Sequence, residues 1–100
     1  ESTKWAIDAD LRNYSYNFNE FIVIDINVET GFEGESIQLS ILCDGSNWEF
    51  GPKIIENVIV GKNIHKQYNI GAAENGEGNC KIYNDLTGEL LETLIFQIAR

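Results

Sequence analysis

One histidine, two cysteines and sixteen acidic residues are the side chains in this 100-residue chain with the potential for proton-transfer, nucleophilic or metal chemistry. His65 stands in the polar run Lys62-Asn63-Ile64-His65-Lys66. Acyl transfer needs a nucleophile held beside such a base. No nucleophile-elbow motif is present, and Cys43 and Cys80 have core-facing parity, so His65 reads as an exposed strand or turn residue. Paired carboxylates hydrolyse glycosides only inside a deep cleft that distorts the sugar, for which a domain of this size has little room. The chain is therefore read as non-catalytic, with no cofactor. Cys43 and Cys80 are too few for a zinc site and lack a Cys-x-x-Cys spacing; they read as a disulfide or as two adjacent buried thiols. Asp8, Asp10 and Asp44 fall at strand ends, where loop oxygens could gather around a structural calcium, but Asp-x-Asp lacks the rest of a calcium loop, and solvated acids are the favoured reading.

The aromatic residues carry more weight. Sugars are bound by stacking their C–H faces on exposed rings while amides and carboxylates take the hydroxyls. Trp5, Tyr14, Tyr16, Phe18 and Phe96 alternate as core residues do. Trp48 and Phe50 instead lie in Asp44-Gly45-Ser46-Asn47-Trp48-Glu49-Phe50-Gly51-Pro52, which has the composition of a loop. Tyr83 takes the outward parity of its strand, beside Gln38, Ser40, Thr93 and Gln97 of its expected neighbours. The expected carbohydrate site is thus Trp48 as main platform, Tyr83 as second ring, and Gln38, Gln97 and Glu49 as hydrogen-bonding groups. Asn13-Tyr14-Ser15 matches a glycosylation triplet, but so short a match arises by chance, and the Ile-, Asn- and Glu-rich composition fits an AT-rich bacterium.

The elements that would position these residues are strands. Ile22, Ile24, Ile26 and Val28 alternate with Val23, Asp25, Asn27 and Glu29, and Ile37, Leu39, Ile41 and Cys43 with Gln38, Ser40 and Leu42. Ser2 to Asp8 forms a first strand, with Trp5, Ile7 and Ala9 on one side, continuing through Leu11 to Phe18 after a break near Asp8–Asp10. Lys53 to Gly61 is apolar on both parities and leaves its faces unassigned; Ile64 to Ile70 is short, with Tyr68 and Ile70 inward. Gly78 to Ile98 closes the chain as a hairpin whose turn is Asp85-Leu86-Thr87-Gly88. Nothing shows a helical period. Ile22, Ile24, Ile26, Ile37, Leu39, Ile41, Ile82, Leu94, Phe96 and Ile98 are the expected core.

One hundred residues make one domain, residues 1–100, with a single two-layer core. A net charge of −9 repels phosphate backbones and anionic lipid, so neither nucleic acid nor membrane is an expected partner. The longest apolar run, Phe21 to Ile24, is far short of the roughly 18 residues that span a bilayer. An opening Glu-Ser-Thr-Lys, without Met or signal, reads as a mature fragment or a module cut from a longer protein.

The pattern Gly78-x-Cys80-x-Ile82-x-x-Asp85-x-x-Gly88-x-Leu90, followed by Phe96-x-Ile98, resembles the closing F–G hairpin of bacterial immunoglobulin-like and fibronectin-III-like modules, including carbohydrate-binding ones. The resemblance implies an immunoglobulin-like, antiparallel two-sheet β-sandwich of seven or eight strands. It also implies secretion or surface attachment and a place beside other domains of one chain. Within that order the strands bearing Cys43 and Cys80 are adjacent and antiparallel, which sets the two cysteines opposite each other. Two functions follow. One is a carbohydrate-binding module of a secreted protein of cellulose and plant-glycan degradation, bound to neutral β-glucan because the charge disfavours anionic chains. The other is a structural spacer or protein-interaction module of a cell-surface protein.

Overall fold

The computed structural model describes residues 6–29, 31–32, 34–45, 48–69 and 76–99. Trp5, Lys4 and Ile70, expected in strands, lie outside the described residues. The remainder is all β, with eight strands: β1 Ile7–Leu11, β2 Ser15–Asn17, β3 Phe21–Val28, β4 Ser36–Gly45, β5 Glu49–Ile59, β6 Asn63–Asn69, β7 Gly76–Asn84 and β8 Leu90–Ala99. They form two sheets, ordered β1-β3-β6 and β2-β8-β7-β4-β5. The result is a two-sheet β-sandwich.

Alternation decides which side of each strand is dry. In β3, Ile22, Ile24, Ile26 and Val28 are at most 1% exposed, because β-branched side chains fill one face of a pleat while the opposite parity meets water. All ten expected core residues are buried, and Ala9, Leu11, Tyr16, Ile55 and Val58 complete the same cluster. Asp25 and Gln38 stay partly exposed on the other parity, so neither strand has slipped register.

Three details depart from the sequence reading. The first strand breaks at Arg12–Tyr14 rather than at Asp8–Asp10, and its two pieces join different sheets: β1 pairs antiparallel with β3, while β2 pairs parallel with β8. The five-stranded sheet is therefore mixed, not antiparallel throughout. Second, the expected loop Asp44–Pro52 is mostly strand; the chain reverses where Gly45 N donates to Trp48 O, and β5 begins at Glu49. Third, β5 bulges twice. Opposite β4, Ile37 pairs with Val58 but Leu39 with Ile55, and Ile41 with Lys53 but Cys43 with Phe50, so β5 carries an extra residue at each step. Each bulge flips the parity, which is why its apolar residues fall on both parities in sequence yet Phe50, Ile55 and Val58 all face inward.

The cysteines are settled by register. Cys43 pairs with Cys80 across β4 and β7, their Cα atoms are 4.0 Å apart, and the two sulfurs are bonded. The closing hairpin is held by Asn84, whose Oδ1 accepts from Leu86 N and whose backbone N donates to Glu89 O. Gly88 there has φ +79°, a conformation that other residues adopt at a cost.

Candidate functional site

Two outer faces carry the polar chemistry. On the five-stranded sheet the outward rows run across β5, β4, β7 and β8 as Ile54–Ser40–Tyr83–Leu90, then Leu42–Lys81–Thr93, then Glu49–Asp44–Asn79–Ile95, then Glu77–Gln97. Tyr83 is half-buried in the first row, between Ser40 and the exposed Leu90, with the exposed Ile54 one strand beyond Ser40. Gln38, Glu49 and Gln97 share this face.

They do not converge. Gln97 aligns with Glu77, six residues along β7 from Tyr83, and at the rise of an extended strand that is about 20 Å. The Gln38 amide is already engaged, with Nε2 donating to Asp85 Oδ2 at 2.5 Å. The hollow beside it, lined by Ser36, Asn57, Asn84 and Leu86, holds about 240 Å³, below the range of ordinary ligand pockets.

Trp48 lies on the opposite side of the sheet. Its ring covers the inner-face glycines Gly45 and Gly78 and packs on Phe50 at 5.4 Å and Phe96 at 6.2 Å between centroids. A Cβ on Gly78 would sit 2.8 Å from Trp48 and from Phe96, so the glycine makes room for both rings. Trp48 is half-buried against the core rather than displayed. The expected pair of stacking rings is thus divided between two faces. The sequence held a signal for this: glycines at inward parity in two adjacent strands leave a gap that a large ring fills.

The outer face of the three-stranded sheet is a polar ladder, with rows Asp8–Asn27–Asn63 and Asp10–Asp25–His65. His65 Nδ1 is 2.5 Å from Asp25 Oδ1, and Arg12 Nη2 lies 3.5 Å from the same nitrogen. No hydroxyl or thiol stands in these rows, so His65 has a carboxylate partner without a side-chain nucleophile. Asp44 belongs to the other sheet, so Asp8, Asp10 and Asp44 do not gather around one point. Among the described residues no group of three or more His, Cys, Asp or Glu is placed to hold a metal ion. Among them, too, no helix is long and apolar enough to cross a membrane.

Inside the sandwich, Tyr68 faces inward beside Ile22 with its hydroxyl buried and, among the described residues, without a hydrogen-bond partner. Burial pushes that hydroxyl up to about 12 from its ordinary 10.0. Replacing Tyr68 with Phe removes an unpaired polar atom and is expected to raise stability by about 1 kcal/mol at neutral pH. The neutral hydroxyl is favoured in the fold, so its ionisation leaves stability intact below pH 10 and erodes it as pH rises through about 12. Urea melts across that range should show the Phe variant's advantage widening. A constant difference would mean that Tyr68 ionises freely in the folded chain.

No protein-family model and no curated protein sequence matches this chain.

Proposed function

We propose that this chain is an immunoglobulin-like, non-catalytic module of a secreted or cell-surface protein, acting as a spacer that holds its neighbours apart. The observation that carries the reading is the placement of the first and last described strands. Ile7 pairs with Val28 at one end of β3, while Phe18 N donates to Ala99 O beside the other end, at Phe21. The start of β1 and the end of β8 therefore lie toward opposite ends of a molecule measuring 43 × 23 × 18 Å, an arrangement compatible with modules strung head to tail. The sheet order supports the immunoglobulin-like assignment. Taking β1, β3 and β6 as strands A, B and E, and β4, β7 and β8 as C, F and G, six of the eight strands fit the order of that fold, with β2 and β5 added at the two edges of the second sheet. The Cys43–Cys80 bond supports an oxidising compartment outside the cytoplasm. Trp48, built into the inner face, is not spent on display.

A second reading, binding of neutral β-glucan, keeps one observation in its favour: Tyr83 on an outer face with Ser40, Gln38 and Thr93 around it. Titration separates the two. Under the spacer reading, xyloglucan, mixed-linkage β-glucan and mannan oligosaccharides at about 1 mM leave the amide spectrum unchanged. Binding that disappears in the Tyr83→Ala variant would replace the spacer with a glycan-binding module. Such a loss is expected to be about ten-fold or more in affinity if Tyr83 stacks on the sugar, by analogy with base stacking on aromatic rings.

A further inference from the structure

Two side chains are displayed to water well beyond any other large hydrophobic among the described residues. Leu86 is 80% exposed and Phe32 79%, while the next, Ile95, is 55%. Each sits on a turn that is tied down. Phe32 N donates to Glu35 Oε1 at 2.9 Å and Glu35 N donates to Phe32 O at 2.8 Å, so backbone and side chain together close the turn that leads into β4. Leu86 N donates to Asn84 Oδ1, Gly88 N donates to Asn84 O, and Gln38 Nε2 holds Asp85 Oδ2 against β4. The two turns share one end of the sandwich. Asp85 N donates to Gln38 O near the start of β4, and β4 and β7 are paired strands, about 5 Å apart. Leu86 also borders the same hollow as Ser36, the residue that follows Glu35. A lone exposed leucine is ordinary, but two apolar side chains on neighbouring hydrogen-bonded turns are anchors whose docking costs little further ordering.

Charge says what the anchors dock on. Phe32 is flanked in sequence by Glu29, Glu33 and Glu35, and Leu86 by Asp85 and Glu89, with no lysine or arginine in residues 29–35 or 85–89. Lys62, which lines a hollow with Gly31 and Gly34, adds a cation to this end and leaves the acids in excess. Apolar anchors set among carboxylates complement a surface of the opposite make-up, an apolar strip bordered by cations, and repel an acidic one. We propose that this end of the sandwich docks another polypeptide through Phe32 and Leu86, and that the partner's face carries an apolar strip bordered by lysine or arginine. The two anchors supply most of the affinity, and the carboxylates set the approach and the orientation. Neither anchor belongs to the core or to the rows that carry Tyr83, so the docking does not depend on the spacer assignment.

The test uses a capped, helix-forming amphipathic peptide of leucine and lysine, its leucine–glutamate counterpart and a serine–lysine peptide of the same charge. Amide spectra of the whole chain are followed on titration to about 1 mM. The leucine–lysine peptide is expected to shift the amides of the Phe32 and Leu86 turns together, and to bind about ten-fold or more tightly than either of the other two. The double variant Phe32→Ser, Leu86→Ser should lose that advantage, and because both side chains stand in water its spectrum should otherwise show an unchanged fold. The proposal is overturned if no shift appears, if shifts spread over the acidic surface at large, if the serine–lysine peptide binds as well, or if the double variant binds like the native chain. Concentration-dependent self-association abolished by the double variant would overturn it by making the occupant a second copy of this chain. Co-sedimentation with phosphatidylcholine vesicles, lost in the same variant, would overturn it by making the surface one for lipid.

Discussion

Phe96→Ala is expected to destabilise the domain by about 3–5 kcal/mol, a large share of what a domain of this size possesses. Phe96 is 1% exposed and joins two otherwise separate aromatic contacts. Tyr16 of β2 meets it edge-on at 5.7 Å and 84°, and Trp48 packs on it from the β4–β5 turn. Its removal opens a cavity beneath both rings, next to Gly78, which has no side chain of its own to fill the space. Urea denaturation should show the loss as a lower midpoint with an unchanged slope. A change below about 1 kcal/mol would mean that the rings relax into the gap and that the cluster is not a rigid unit. A companion variant tests the same arrangement from the other side. Gly78→Ala places a methyl group against Trp48 and Phe96, and overpacking of this kind costs about 1–3 kcal/mol. In a Trp48→Ala background much of that cost should vanish, and the coupling is read directly from the double-mutant cycle.

Removal of the disulfide by the double substitution Cys43→Ala, Cys80→Ala is expected to cost about 3–4 kcal/mol on the chain-entropy estimate. The bond joins residues 37 apart in sequence and so restricts a long loop of the unfolded chain. Both cysteines are essentially fully buried, and alanine in their place adds a small packing loss to the entropic one. The control is internal: a reductant should lower the urea midpoint of the native chain under conditions that unfold it and leave the double variant unaffected. Equal midpoints for the native chain with and without reductant would show that the bond contributes nothing to equilibrium stability.

Much of this architecture was legible from local pattern. Side chains alternate with period two along any strand, so β3, β4 and β8 declared their dry faces through Ile22, Ile24 and Ile26, through Ile37, Leu39 and Ile41, and through Leu94, Phe96 and Ile98. The closing turn was equally local, because Asn84, Gly88 and their neighbours make its hydrogen bonds among themselves. Resemblance placed Cys43 opposite Cys80, but only the tertiary structure, in which the two sulfurs are bonded, chose the disulfide over adjacent thiols.

What sequence alone determined about this protein is therefore its class and its core: an acidic all-β domain whose isoleucines face one another between two sheets. Tertiary structure decided everything that depends on which strand lies beside which. The parallel pairing of β2 with β8 joins residues about eighty positions apart and leaves no trace in local alternation. Both bulges of β5 arise from its fit against β4, and they re-aim Phe50 inward from a segment whose Gly and Pro composition spells a loop. Trp48 follows the same logic. Its type suggested display, but a bare pair of glycines on neighbouring strands and the flank of Phe96 offer its ring more apolar contact than water does, and burial of apolar surface prevails.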